Sequence, residues 1–418
     1  MLASTVWLGA CGDKAAPAAS SAASAASTAA SVVASAPASA PGGDTLRVGF
    51  ITDMSGVYAD IDGPGGAAAI EMAIEDVGGT LLGKKIELLK ADHQHKTDIA
   101  ATTAREWVDQ QGVQAIFGGT NSAVALATSK LMAERQKPYF LNGAGASRIT
   151  NEDCSPFTVQ YAYDTVALAR VAGKALMERG DKDWYFLTSD FAFGHSLEKD
   201  ASEVVLANGG KVVGAVRAPL GASDFSSFLL QAQASKAQVL AFANGGGDFI
   251  NSVKAANEFG VNKTMKMAGL IVFDPDVHAI GLKDAQGLIV AAPWYWDLND
   301  ESRKFGERFY AKFQRMPTYL QAGDYSAALT YFKAVKAVGS TDGAKIMEYL
   351  YKTPVNDMFA QNAIIRGDGR LMNDTYLFEV KKPEESTRPW DYYKQIKRVP
   401  AEEAYTKVAD SKCPLLKK

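Results

Sequence analysis

Residues 114–150 read QAIFGGTNSAVALATSKLMAERQKPYFLNGAGASRIT, and this stretch decides the fold. Residues 114–117 and 138–141 are apolar enough for buried strands. Between them, 123–135 keeps Val124, Ala127, Leu131 and Met132 on one helical face. Two strands joined by a crossover helix run parallel. Each strand ends in a turn of small residues. Gly118-Gly119-Thr120-Asn121-Ser122 offers backbone N–H groups, a hydroxyl and an amide at a helix start. Gly143-Ala144-Gly145-Ala146-Ser147 offers a second set. In open α/β sheets, ligands sit at the carboxyl ends of strands, where helix N-termini favour negative charge. Two such turns on adjacent strands point to a carboxylate site. The competing reading is that the glycines only tighten the turns.

Upstream, 45–51 (TLRVGFI) reads as the first strand and 52–58 (TDMSGVY) as a loop at the same sheet edge. Pro64 starts a helix over 64–77, and 85–91 is the next strand. His93 and His95 follow, without acidic or thiol partners at metal-ligand spacing. A helix over 97–111 leads into the focal stretch. The pattern is βαβαβαβ, a parallel sheet with helices on both faces. The rhythm pauses over 151–163 and restarts. Helices at 164–179, 194–207 and 224–234 precede strands at 184–188, 211–217 and 237–243. Asn244-Gly245-Gly246-Gly247-Asp248 opens another helix, and strands at 265–271 and 287–292 follow. Two α/β units imply two lobes with a cleft between them, a favoured ligand site. Helices are expected over 300–315, 321–339 and 341–352. Two short strands around Arg366-Gly367-Asp368-Gly369 come next, then an amphipathic surface segment over 390–397.

With 418 residues the chain is long enough for more than one domain, and its net charge of −3 comes with no Lys/Arg stripe. That argues against a dominant nucleic-acid role. No internal apolar run approaches the ~20 residues of a membrane helix. There is no P-loop, no Gly-x-Ser-x-Gly elbow and no zinc helix, and Arg148 breaks the one start of a dinucleotide fingerprint. With four histidines and no serine or cysteine beside a convincing base, an enzyme is the weaker class. No metal and no cofactor is expected.

Residues 1–10, MLASTVWLGA, precede Cys11, and Leu8-Gly9-Ala10-Cys11 resembles the lipobox of bacterial lipoproteins. That resemblance implies a signal at 1–11, lipid on Cys11 and a periplasmic, membrane-anchored protein. The Ala/Ser/Pro-rich segment 12–44 buries too little side chain to offset ordering entropy and reads as a disordered tether. If Cys11 takes lipid, Cys154 and Cys413 remain, and export suggests a disulfide between them; two free buried thiols are the alternative.

Taken together the residues resemble type I periplasmic solute-binding proteins of ABC importers, in the branched-chain amino acid branch. The resemblance covers 45 to about 380. It rests on Gly49–Gly56 (GFITDMSG), on 67–75, on the Gly118 turn and on 138–146. Asp190-Phe191-Ala192-Phe193-Gly194, Pro317-Thr318 and Ala322–Ala327 (AGDYSA) complete it. It implies an α/β fold of two Rossmann-like lobes with parallel sheets joined by three crossovers, near 161–164, 292–294 and 372–376. Lobe 1 would be 45–162 with 293–373, and lobe 2 would be 163–292 with 374–418. The implied partners are a small-molecule carboxylate and the membrane subunits of an ABC permease, and the implied state is a monomer touching membrane only through its lipid. A sensor module feeding a receptor would bind in the same way.

In that family the ligand carboxylate is held at the two focal turns. Ser122, with Asn121 nearby, matches the first turn, and Ala144, Gly145 and Ala146 match the second. Gly145 or Ala146 stands where relatives often have a threonine that touches the α-ammonium. Phe193-Gly194 matches the second-lobe aromatic pair. Leu270, or Ile271, falls where relatives carry an acid for the ammonium; Asp274 is the nearest acid. A buried ammonium without a carboxylate is costly, so the pocket is expected to prefer an acid without an α-amino group. Tyr58, Tyr163, Phe193, Phe249 and Trp294, with Gly246, are expected to line it. The chain looks like the aromatic-acid-binding subgroup, with a branched-chain amino acid or small amide as the alternative ligand.

Overall fold

The computed structural model describes residues 44–417. The expected lipid site Cys11, the signal at 1–11 and nearly all of the 12–44 tether lie outside them.

The strands of the first sheet are β1 (Thr45–Thr52), β2 (Thr80–Leu81), β3 (Lys84–Asp92), β4 (Val113–Gly118), β5 (Tyr139–Leu141) and β6 (Thr158–Gln160), in spatial order β2-β3-β1-β4-β5-β6. All neighbours are parallel except the short β2–β3 pair. β1 lies between β3 and β4, so chain order reverses between β1 and β4, where such sheets open a crevice. β4 and β5 are almost wholly buried because helices cover both faces, which is why they carry no polar alternation. On one face Phe117 and Phe140 stack at 5.2 Å.

The second sheet contains β7 (Asp183–Ser189), β8 (Lys211–Ala218), β9 (Val239–Ala243) and β10 (Lys266–Gly269), in order β10-β9-β7-β8 and all parallel. Its crevice falls between β7 and β9. The two sheets are the two lobes.

Several expectations change. The pause at 151–163 contains β6, an edge strand that continues the first sheet. The strand expected at 287–292 is β11 (Ile289–Ala292), but it leaves the second sheet for a separate antiparallel one. The two short strands expected around Arg366-Gly367-Asp368-Gly369 are present as the antiparallel pair β12 (Ile364–Ile365) and β13 (Leu371–Met372), and β14 (Thr375–Val380) follows them. The amphipathic 390–397 segment becomes β15 (Tyr393–Val399), and the third sheet runs β11-β14-β15.

The helix Tyr319–Val338 packs along the helix Gly63–Asp76. Thr318 and Gln321 close a capping box at its start, and Gly339 ends it in the left-handed conformation. The chain crosses between lobes after β6, after β11 and between β13 and β14. Arg370, fully buried, donates to the carbonyls of Tyr161 and Leu371 and lies 4.5 Å over the Tyr405 ring, so it ties two of these crossings together. The last residues of the 374–418 segment return to the first lobe. Lys412 donates its backbone N–H to Asn151, and Cys413 is disulfide-bonded to Cys154 with 5.7 Å between Cα atoms.

Candidate functional site

The carboxyl ends of both parallel sheets face one cavity of about 20 Å³, and the lobes touch around it. From the first lobe come Tyr58 and Ile61 after β1, Thr120 after β4 and Gly143 after β5, and Tyr163 stands where the chain crosses beyond β6. From the second come Phe193, Gly245, Ile271 and Phe273. A much larger groove, about 1140 Å³, is lined by side chains such as Lys199, Glu203, Glu402 and Lys407, and it shares none of these residues.

The two turns read from sequence lie side by side. Ser122 starts the helix Ser122–Glu134, and its buried hydroxyl accepts the N–H of Ala146 at 3.2 Å. That leaves the Ser122 proton free to donate. The N–H groups of Ala144 and Gly145 make no hydrogen bond among the described residues. Gln160 braces the turn from behind, donating to the carbonyls of Ala144 and Ala146. Gly145 is glycine for a packing reason. A Cβ there would lie 2.4 Å from the Tyr163 ring and 3.0 Å from the Phe193 ring. The space a threonine would use is taken by these two aromatics.

Asn121 has a different task from Ser122. Its Oδ1 caps the helix, accepting from Ala123 at 2.9 Å and Val124 at 3.2 Å. Its Nδ2 meets His95 Nδ1 at 3.3 Å. His95 donates its other nitrogen to Asp53 at 2.8 Å, which fixes the tautomer. Burial alone would raise the Asp53 carboxyl. The His95 bond and the N–H groups of Tyr58 and Gly56 outweigh it and hold the pKa at about 2. Asp53 thus shapes the loop that presents Tyr58. His93 is pushed down to about 4 by burial and by His95, and its ring nitrogens meet the N–H of His95 and the Thr120 hydroxyl.

Three acids lie close to the cavity without lining it. Burial pushes Asp248 up to about 6, against an N–H bond from Gly221. Burial likewise raises Asp274 to about 8 and Asp276 to about 7.

Asn121, Ser122, Ala144, Gly145 and Ala146 of the two turns are not among the residues that line the cavity, and four further expected lining residues fall elsewhere. Trp294 is buried away from the cavity: its ring meets Phe305 edge-on at 6.0 Å and its N–H bonds the Met358 carbonyl at 2.9 Å. β11 turns into the third sheet, and that carries Trp294 off. Phe249 packs against Phe242 in the core of the second lobe. Leu270 is fully buried, and its successor Ile271 faces the cavity. Gly246 lies one residue beyond the lining Gly245, pressed against Val57 and Tyr58 of the other lobe. Thr120 and Gly143, of the two focal turns, line the cavity, and so do Ile61 and Phe273, which the sequence pattern does not mark.

Two parallel-sheet lobes closing on a cavity walled by aromatics, with unspent donors at two turns, define a two-lobed binding protein for a small solute. Residues 45–386 match the periplasmic binding protein family, and the chain belongs to it. It is similar to a periplasmic binding protein from Burkholderia mallei, with 55% identity, 90% of this chain and 100% of that chain covered, and a TM-score of 0.88. A branched chain amino acid ABC transporter periplasmic ligand-binding protein from Burkholderia xenovorans LB400 is 41% identical, with coverage of 89% and 100% and a TM-score of 0.79. A solute binding protein of an ABC transporter from Rhodopseudomonas palustris BisB5, in complex with 3,4-dihydroxy benzoic acid, shares the fold. It is 24% identical, with coverage of 86% and 98% and a TM-score of 0.78. Among the described residues no helix is long and apolar enough to cross a membrane.

Proposed function

We propose that this protein is the extracytoplasmic solute-binding component of an ABC importer, lipid-anchored through Cys11, and that it captures an aromatic carboxylic acid in the cleft for a membrane permease. The observation that carries the ligand class is the make-up of the cavity wall. Tyr58, Tyr163, Phe193 and Phe273 with Ile61 and Ile271 surround it, and no acid or base lines it. A flat ring suits such walls. The carboxylate goes to the Ser122 hydroxyl and the N–H groups of Ala144 and Gly145. An α-ammonium has no carboxylate waiting in the lining, and a buried ammonium without one is costly. The same fold holds a dihydroxylated benzoate in the Rhodopseudomonas palustris structure.

Capture follows from the two-lobe plan. The acid binds the turns of the first lobe, the second lobe closes over it, and the closed form is the one the permease engages. The lobe boundaries that go with this reading are the crossings near 162, 293 and 373.

A branched-chain amino acid is the second reading. It is favoured by Asp248, a buried acid at the mouth of the second lobe, and by the name of the Burkholderia xenovorans relative.

A thermal-shift panel of aromatic carboxylates, branched-chain amino acids and small amides separates the two. A ligand at 100 times its dissociation constant adds about 2.7 kcal/mol of stability. Shifts with aromatic acids alone are expected. Shifts with leucine or valine alone would replace this reading with the second.

A further inference from the structure

Behind the aromatic wall of the cavity lies a second, polar layer. Tyr319 opens the helix Tyr319–Val338; its ring stacks on Phe273 at 4.7 Å and meets Tyr163 edge-on at 5.6 Å, and both of those rings line the cavity. Asp276 sits beside them, its Oδ2 accepting the Phe273 N–H at 3.0 Å. The outward atoms of this layer have no partner. Asp276 Oδ1, the Tyr319 hydroxyl and the hydroxyl of cavity-lining Tyr58 are all buried and unbonded among the described residues. A buried polar atom left unpaired costs about 1–3 kcal/mol. Three such atoms, on residues that line the cavity or pack behind its lining, call for a common explanation.

We propose that Asp276, Tyr319 and Tyr58 form the polar far end of the ligand chamber and read a hydroxyl or amino substituent on the ring, opposite the carboxylate. This rests on the aromatic-acid reading above. A ring hydroxyl suits the set because it donates and accepts. It gives its proton to Asp276 Oδ1 and takes one from a tyrosine. Burial holds both tyrosines well above the usual phenol range, so they stay donors. Asp276 is raised to about 7 by burial and is chiefly an acceptor at pH 8. The neighbouring charges that bear on it, Asp274 and Asp60, are both acids. Phe273 lines the cavity and stacks on Tyr319, so the substituent reaches this layer past its ring.

Calorimetry at pH 8 with 4-hydroxybenzoate, 4-aminobenzoate and 4-fluorobenzoate tests this. The wild type should bind the first two at least tenfold more tightly than the third. Asp276→Asn keeps an acceptor for the Phe273 N–H, and it should erase most of that preference. Tyr319→Phe should lower the preference in the same direction. Equal affinity of the wild type for all three acids overturns the inference and leaves the aromatic-acid reading standing. So does a preference that neither variant alters. Binding of leucine with none of the three acids overturns the aromatic-acid reading, and the inference with it.

Discussion

The carbonyl oxygen of Val57 accepts the backbone N–H of Gly247 at 3.1 Å, joining the loop after β1 in the first lobe to the helix Gly246–Glu258 in the second. Gly246 makes this approach possible. Its φ is +58°, and a Cβ there would lie 2.6 Å from that same oxygen and 2.9 Å from the Tyr58 ring. Any side chain is strained by the left-handed backbone, by about 1–2 kcal/mol. It also pushes the lobes apart, because a backbone oxygen cannot rotate away. Gly246→Ala is therefore expected to weaken ligand binding tenfold or more by calorimetry and to reduce ligand-induced compaction in small-angle scattering. Gly209→Ala is the control: its φ is +73°, with nothing near its Cβ. It should lower the melting temperature without changing affinity. Equal affinity losses in both variants would remove the lobe contact as the cause.

Ser122→Ala should weaken a carboxylate ligand by roughly 1–3 kcal/mol, the scale of one charge-assisted hydrogen bond. The loss has two parts, since the Ala146 N–H also loses its acceptor. Ser122→Thr keeps the hydroxyl and should retain more affinity than alanine. Calorimetry on the two variants is the check, and unchanged affinity in Ser122→Ala would discard the turn as the carboxylate cradle.

The parallel βαβ core and the two small-residue turns were legible because their signals are local. β4 and β5 are short apolar runs, and the turns announce themselves by composition. β6 was not, because Thr158 and Gln160 are polar yet buried, and partners distant in sequence satisfy them: Ser129 for one, Thr150 and the carbonyls of Ala144 and Ala146 for the other. β15 is exposed along most of its length, so its alternation reads equally as a surface amphipathic segment. The cavity was half legible. Tyr58, Tyr163 and Phe193 follow strands and turns that the pattern locates. Ile271 differs from Leu270 by one position at a strand end, where one step changes which way a side chain points. Trp294 was misplaced and Phe273 was missed because the third sheet and the stack on Tyr319 join segments far apart in the chain.

Cys154 and Cys413 close a loop with a sequence separation of 259. The chain-entropy estimate for such a loop is about 5 kcal/mol, as an upper figure. Reduction, or the Cys154→Ser/Cys413→Ser double variant, should lower stability toward urea by about 3–5 kcal/mol. The bridge lies at the 151–154 loop, away from the cavity lining, so ligand affinity in the folded variant should stay near that of the wild type. An unchanged unfolding midpoint would show that the tail contributes nothing to holding the first lobe.

Asp62 and Asp324 are both fully buried and approach the same point beside Gly66, with Thr52 donating to Asp62 and Asn142 to Asp324. Two carboxylates this close cannot both ionise, so one proton is shared. Burial raises both groups, and the neighbouring charge of Asp62 adds to the rise of Asp324, which lies well above the usual carboxylate range. A raised carboxyl pKa means that the folded chain holds a proton the unfolded chain has released. The stability from this proton is fully present below the unfolded value near 4, and it is lost progressively as pH rises toward the folded value. Asp324→Asn offers Asp62 an amide N–H in place of the shared proton. Its stability relative to wild type is therefore expected to rise between pH 5 and pH 9, measured by urea unfolding across that range. Parallel pH profiles for the two proteins would show that no proton is held between Asp62 and Asp324.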